Sequence, residues 1–221
     1  MPKLKKSQKI LLIAAAAALL CALCGCAVSN VEELYALPRH SDEDNELQKA
    51  IDSVMTEGVQ YAAPVSGKNQ QSVQLADLDA DGEDEAIVFL RVPGDKPLRA
   101  CVFDLTDGAY RSLGFIDGSG AAFERAEYVQ LDGAPGVEIV LGRQVGNQVL
   151  RAMSVYTLRE GQLVELMSTN YSEYALTDLD LDGNREIFLL RFDPEAKNGT
   201  AGLYRWNGSA LSLENEAALS A

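Results

Sequence analysis

Histidine and cysteine are scarce in this 221-residue chain, and basic residues are outnumbered. His40 is the only histidine and lies in a polar stretch away from any motif, which argues against a histidine-based zinc or catalytic site. Neither G-x-S-x-G nor H-E-x-x-H occurs. The formal net charge is −14, which argues against nucleic acid as a partner and favours cations.

The first 25 residues are predicted to be a signal peptide. Four lysines precede the apolar run Ile10–Leu23, which is too short to span a bilayer comfortably. Leu23-Cys24-Gly25-Cys26 then resembles the bacterial lipobox, in which a small residue precedes the lipidated cysteine. Cys26 fits this pattern better than Cys24, because Gly25 is small. The resemblance implies a lipoprotein anchored outside the cytoplasmic membrane by two acyl chains on Cys26, and an uncleaved anchor helix is the alternative.

Disulfides are not expected in the exported part of the chain. Only Cys26 and Cys101 would remain there, and Cys26 would carry the lipid. Cys101 lies in an alternating apolar stretch and is predicted to be a small buried hydrophobe. Another stabiliser is therefore needed, and calcium is the natural candidate.

One short amphipathic helix is predicted within residues 42–58, after a tether over residues 26–41. Acidic residues begin the segment and Gly58 ends it, which favours a helix over about residues 43–57. Apolar side chains recur at helical spacing: Leu47, Ile51, Val54 and Met55. We expect this apolar stripe to dock on the domain that follows, and residues 58–71 to form a loop.

Residues 72–221 contain a repeat with a period near 50. An acidic or polar turn leads each time to a glutamate and an apolar strand, and Glu85, Glu138 and Glu186 are spaced 53 and then 48 residues apart. Each unit then has a hairpin, whose turn contains Asp107-Gly108, Glu160-Gly161 or Asn207-Gly208. A short strand before each acidic or polar turn completes four strands per unit. This pattern predicts an all-β domain with units at about 72–125, 126–172 and 173–221.

Two of the three turns are crowded with carboxylates: DLDADGEDE at Asp77–Glu85 and DLDLDGNRE at Asp178–Glu186. Like charges this close repel by up to about 4 kcal/mol per pair, so a cation is expected in both places. Each of these turns has the pattern D-x-D-x-D-G-x-x-[DE] and lies between two apolar strands. This arrangement resembles the FG-GAP or VCBS repeat. That repeat occurs in integrin α-like β-propellers and in many bacterial surface lipoproteins, and the resemblance covers about residues 72–221.

The resemblance implies two structural Ca²⁺ sites, each formed by one loop. The ligands of the first would be Asp77, Asp79, Asp81, the main-chain carbonyl of Glu83, and Glu85. Those of the second would be Asp178, Asp180, Asp182, the carbonyl of Asn184, and Glu186. Gly82 and Gly183 stand where a sharp bend is needed. Val88 and Leu189 occupy the place of the EF-hand glutamate, which excludes an EF-hand; hydrogen-bonded Asp/Gly turns that bind nothing are the alternative.

The middle unit departs from the pattern. It retains Glu138, but only Asp132 precedes it, with Ala134 and Pro135 where acids and glycine should stand. We expect no metal there, and a turn held by Gly133, Pro135 and Gly136 instead.

The expected fold is a partial β-propeller-like array of about three four-stranded blades. Closed propellers have four to eight blades, so the chain would form either an incomplete propeller or an open array. Exposed sheet edges would allow self-association.

The expected function is that of a non-catalytic, lipid-anchored, extracytoplasmic calcium-binding protein at the cell surface. It would serve as a binding, adhesion or scaffold module with a protein or carbohydrate ligand. An exported hydrolase that uses Asp79 or Asp180, and a subunit of a larger envelope complex, are the alternatives. Five aromatic residues would form a carbohydrate platform if they shared one face, although strand-borne aromatics favour the core: Tyr110, Tyr171, Tyr174, Tyr204 and Trp206.

Overall fold

A computed structural model describes residues 42–146, 151–193 and 195–220. The predicted signal peptide, the tether and Cys26 lie outside these residues. Helix α1 (Asp42–Val54) precedes thirteen strands. The strands are β1 (Gln60–Tyr61), β2 (Val73–Ala76), β3 (Glu85–Arg91), β4 (Leu98–Thr106), β5 (Ala109–Gly118), β6 (Ala122–Val129), β7 (Glu138–Gln144), β8 (Arg151–Arg159), β9 (Gln162–Tyr171), β10 (Glu173–Thr177), β11 (Glu186–Asp193), β12 (Asn198–Trp206) and β13 (Leu211–Ser220). Within this described part of the chain, no helix is long and apolar enough to cross a membrane.

The strands form three antiparallel sheets in chain order, which confirms that the domain is mostly β. The first sheet runs β2-β3-β4-β5, the second β6-β7-β8-β9 and the third β10-β11-β12-β13. The two-residue strand β1 shares the edge of β3 with β2, in a segment that the sequence predicted to be a loop. None of the three sheets closes on itself. Strand β6 begins at Ala122, a few residues before the predicted start of the second unit.

The hairpin turns follow the predicted glycines. Asp107-Gly108 has φ values of 53° and 74°, and Glu160-Gly161 has 50° and 70°. Two consecutive left-handed residues are typical of the type I′ turn that suits the twist of a hairpin. The third turn is wider: the amide of Asn207 donates to the carbonyl of Ala210 at 3.1 Å.

A bulge marks the same place in all three sheets. The register shifts between Val102 and Phe103, between Val155 and Tyr156, and between Leu203 and Tyr204. These positions are 53 and then 48 residues apart, the spacing of the three glutamates. The repeat seen in the sequence is therefore a repeat of structure as well.

Two apolar layers hold the three sheets face to face. The first layer joins the first and second sheets and includes Phe89 and Phe123, whose rings meet edge to face at 4.9 Å. The second layer joins the second and third sheets and includes Tyr171 and Tyr174. Tyr204 and Trp206 pack against this second layer. These four aromatics therefore belong to the core rather than to a surface platform.

Helix α1 covers the outer face of the first sheet. Ile51 is buried among Val88, Leu90, Cys101 and Phe103, and the other predicted stripe residues pack around this cluster. The expected docking of the helix is confirmed. The helix ends at Val54, slightly before the predicted end at residue 57. Cys101 is a buried free cysteine, as predicted.

Candidate metal sites

Each of the three glutamates closes its own loop with a single hydrogen bond. The amide of Leu78 donates to Oε2 of Glu85 at 2.6 Å. The amides of Leu131 and Leu179 donate in the same way to Oε2 of Glu138 and Glu186, at 2.6 and 2.8 Å. All three glutamates begin a second strand and are buried. One oxygen of each glutamate, Oε2, is thus used by the backbone, and Oε1 is left for a different partner.

The first acidic loop brings three of its predicted ligands together. Asp77, Asp79 and Glu85 each offer one carboxylate oxygen, and these oxygens lie within 4.8 Å of one another. Glu85 is only 1% exposed. Its Oε1 and the Oδ1 of Asp77 are buried and have no hydrogen-bond partner. A buried acceptor without a partner is costly, so these two oxygens point to a cation.

The electrostatics of the first loop support the same conclusion. The pKa of Glu85 is raised to about 7, chiefly by burial and in addition by the charges of Asp79, Asp104 and Asp81, while the hydrogen bond from the amide of Leu78 lowers it. Burial also raises the pKa of Asp79, with added repulsion from Asp81, Asp77 and Asp104. No arginine or lysine in the described ranges forms an ion pair with the three clustered carboxylates or with Asp104.

The second acidic loop has the same triad but a resident cation. Asp178, Asp180 and Glu186 offer oxygens within 4.8 Å of one another, and the Oδ1 of Asp178 is buried without a partner. Arg205, however, donates from Nε to Oε1 of Glu186 at 3.1 Å and places a second nitrogen 3.3 Å from Asp180. Two of the three triad carboxylates are therefore already paired.

Asp81 and Asp182, two further predicted ligands, accept hydrogen bonds within their own loops and are not among the three clustered carboxylates of either triad. Asp81 and Asp182 each accept a main-chain hydrogen bond at 2.8 Å, from Glu83 and from Asn184 respectively. Asp182 also accepts from the side chain of Asn184 at 3.2 Å. Such bonds are those of an ordinary Asp turn.

The two glycines of the loops adopt the bend that their position requires. Gly82 and Gly183 have φ values of 93° and 96°, as expected for residues without a Cβ. Their amides donate to Oδ2 of Asp77 and of Asp178, at 3.2 and 3.1 Å. Because these bonds use Oδ2, they leave the Oδ1 atoms of both aspartates without a partner.

The turn of the middle unit is satisfied by the protein itself. Arg159 donates to Oδ2 of Asp132 at 2.7 Å, and Thr157 donates to Oε1 of Glu138 at 3.2 Å. Gly133 and Gly136 both have positive φ, and a Cβ on Gly136 would lie 2.0 Å from the carbonyl oxygen of Leu78. This glycine therefore lets the first and second turns approach closely.

The three turns lie side by side at one end of the sheets. The amide of Val137, in the middle turn, donates to the carbonyl of Leu78 in the first at 3.3 Å. The amide of Arg185, in the third, donates to the carbonyl of Gln130 in the second at 2.8 Å. The two acidic triads are thus separated by the neutralised middle turn.

The sequence did not predict the side chains that face the glutamates across the strand pair. Thr157 and Arg205 both lie nineteen residues after the loop glutamate of their unit. Asp104 stands at the same distance after Glu85. Alignment of the three repeats on their glutamates would have revealed this position.

The donor set of both triads consists of carboxylate oxygens, the ligands of hard cations such as Ca²⁺ and Mg²⁺. The residues of the first loop fit such an ion, because Oε1 of Glu85 and Oδ1 of Asp77 have no other partner. No protein-family model matches this chain, and a search of curated proteins finds no relative. Geometry and sequence pattern alone therefore carry the functional interpretation.

Proposed function

We propose that this protein is a non-catalytic, calcium-binding, β-propeller-like module of the FG-GAP or VCBS type. A lipid on Cys26 would anchor it outside the cytoplasmic membrane. There it would act as a binding, adhesion or scaffold module for a protein or carbohydrate ligand. The bound calcium is structural: it holds an acidic turn against the strand that follows.

The unpartnered oxygens of the first loop carry this proposal. Glu85 is almost completely buried, yet only one of its carboxylate oxygens has a hydrogen-bond partner. Asp77 and Asp79 add further oxygens within 4.8 Å. A bound divalent cation would compensate both the missing partner and the mutual repulsion of these groups. Calcium suits the site because it accepts many oxygen ligands in flexible geometry.

The propeller-like assignment rests on how the sheets repeat. Each sheet is an antiparallel meander, each packs on the next through an apolar layer, and each has its turn at the same end. Radial packing of such units produces the blades of a propeller. Three units are fewer than a closed propeller needs, so the proposed fold is a partial, propeller-like array of three sheets.

Two sequence features support the remaining parts of the proposal. The Leu23-Cys24-Gly25-Cys26 pattern supports lipidation and an extracytoplasmic location. The candidate ligands of each triad come from one short loop, and neither loop sequence contains a histidine, serine or cysteine that would act as base or nucleophile. This composition favours a structural ion over a catalytic one.

Thermal unfolding of the full-length protein in calcium and in chelator tests the proposed function. With site affinities of about 10⁻⁴–10⁻³ M, millimolar calcium should stabilise the fold by about 0.5–1.5 kcal/mol per site. Asp79→Asn should remove the contribution of the first loop. Asp95→Asn, an exposed aspartate outside the loops, is the matched control and should behave as the wild type. Identical melts in calcium and in chelator would reject the proposal.

A further inference from the structure

The second oxygen of each loop glutamate meets a different partner in each unit. Oε1 of Glu85 is buried with no hydrogen-bond partner. Oε1 of Glu138 accepts the hydroxyl of Thr157 at 3.2 Å. Oε1 of Glu186 accepts Nε of Arg205 at 3.1 Å. Since Oε2 accepts from the equivalent main-chain amide in all three units, the hydrogen bonding of the three glutamates differs at Oε1.

The partner is set by the register of the second and third strands of each sheet. Ala86 pairs with Phe103, Ile139 with Tyr156 and Ile187 with Tyr204. The next residues along these strand pairs are therefore opposite each other: the loop glutamate on one strand, and Asp104, Thr157 or Arg205 on the other. Cross-strand neighbours this close interact directly.

We propose that the residue opposite the loop glutamate decides how strongly a loop binds a metal ion. Asp104 leaves the first loop dependent on an external cation, whereas Arg205 acts as a built-in cation that competes with the metal in the third unit. This inference rests on the proposed function and makes the two predicted calcium sites unequal. The first loop is the strong site, and the third is weak until Arg205 is displaced.

The charges around the two triads support this difference. Arg205 contacts Glu186, Asp180 and Glu214, at 3.1, 3.3 and 3.6 Å. A metal ion in the third loop must displace the guanidinium of Arg205 from Asp180 and Glu186, and it is repelled by the positive charge of that group. Asp104 instead stands opposite Glu85 in the register of β3 and β4, and it therefore adds a negative charge to the first loop.

In the middle unit, side chains of the protein itself are the partners of both turn carboxylates. Its glutamate is satisfied by a neutral hydroxyl, and Arg159 neutralises Asp132 from the end of the same strand. Arg159 also lies over the ring of Trp206, with Cζ 5.2 Å from the ring centroid. An arginine paired with turn carboxylates therefore occurs in both the middle and the third turn.

Calcium titration of full-length variants in which one loop is disabled tests the inference. In an Asp79→Asn background only the third loop remains, and adding Arg205→Gln should tighten calcium binding by about tenfold or more, because a competing charge is removed. In an Asp180→Asn background only the first loop remains, and Asp104→Arg should weaken binding by about tenfold or more. Asp104→Thr, which copies the middle unit, is the milder variant if the arginine prevents folding.

Two further variants separate charge from structure. Arg205→Lys keeps the positive charge and should leave the third loop weak. Arg159→Gln removes an arginine from the middle turn and should leave the affinity of the third loop unchanged. Circular dichroism and melts in chelator establish that each variant is folded before calcium is added.

The outcomes distinguish the inference from the proposed function. A strong first site, a weak third site and a gain on Arg205→Gln support both. Two sites of equal affinity that ignore Arg205 and Asp104 overturn the inference and leave the calcium-binding function standing. No calcium binding in the wild type or in any variant overturns both.

Discussion

Leu131 donates its amide hydrogen to Oε2 of Glu138 at 2.6 Å, in a turn that has no acidic triad. The same bond closes the two acidic loops at Glu85 and Glu186. The glutamate therefore has a structural role that does not depend on a metal ion. The units differ instead in the partner of its second oxygen, Oε1, and in whether aspartates complete a triad around it.

The buried carboxyl of Glu138 should make stability depend on pH. Burial is the main cause that raises its pKa from 4.5 to about 7. At a pH between these two values, the folded state therefore keeps a proton that the unfolded state has released. The stability from this group is present below about pH 4.5 and is lost as the pH rises through about 7. The unfolding free energy of the wild type should therefore fall as the pH rises from 5 to 8. In Glu138→Gln this fall should be smaller by about 2–3 kcal/mol.

Urea unfolding across this pH range, in chelator, measures the effect. Glutamine can keep both bonds, since its oxygen accepts the amide of Leu131 and its NH₂ donates to Thr157. Glu160→Gln, at the exposed tip of a hairpin, is the control and should retain the wild-type slope. A Glu138→Gln variant with the wild-type slope would show that this carboxyl is ionised in the folded protein.

The packing of the first sheet on the second should depend strongly on Phe123. This ring is 1% exposed and meets Phe89 edge to face at 4.9 Å. Truncation of a fully buried aromatic leaves a cavity, so Phe123→Ala should cost about 3–5 kcal/mol in denaturant unfolding. Phe115→Ala, at a ring that is 48% exposed, should cost about 1 kcal/mol or less. Equal costs would contradict the face-to-face packing.

Docking of helix α1 should contribute measurably to the stability of the first sheet. Ile51 is 4% exposed and packs against Val88, Leu90 and Phe103. Ile51→Ala should destabilise by about 2–4 kcal/mol in chemical unfolding, through lost burial and the cavity that remains. Gln48→Ala on the exposed side of the same helix tests whether helix propensity alone is responsible, and it should change stability by less than about 0.5 kcal/mol. A similar cost for both variants would mean that the helix is not anchored.

Lipidation should depend on Cys26 and not on its neighbour two residues earlier. Cys26→Ala in the producing cell should abolish the lipid-dependent mass increase and move the protein out of the membrane fraction, because no acyl chains remain to anchor it. Cys24→Ala should leave both properties unchanged. Membrane fractionation and intact-mass measurement check the two variants, and loss of anchoring only in Cys24→Ala would reassign the modified cysteine.

Local sequence patterns predicted most of the architecture. The apolar spacing around Ile51 identified the docked helix, and paired turn residues such as Asp107-Gly108 identified the hairpins, because both depend on neighbours along the chain. Repetition at 53 and 48 residues then gave four strands per unit. Strand β1 was missed, since two residues carry no period and its partner β3 lies far along the chain.

The candidate sites were only partly predictable for a related reason. Alternating aspartates mark a loop that gathers oxygens, and the structure brings together Asp77, Asp79 and Glu85. Whether such a loop already has a cation depends on the strand opposite. Arg205 is nineteen residues from Glu186 in sequence, and only the pairing of β11 with β12 places them together. Spacing within the loop carries no information about that contact.

Anomalous diffraction from crystals grown in calcium, or soaked in terbium as a substitute, would show directly whether each acidic loop holds a cation. We expect a strong peak in the first loop, bonded to Oε1 of Glu85 and to oxygens of Asp77 and Asp79. The third loop should show a weaker peak or none while Arg205 remains paired with Glu186. A first loop without a peak, in which water is the partner of Oε1 of Glu85, would mean that this loop is not a metal site.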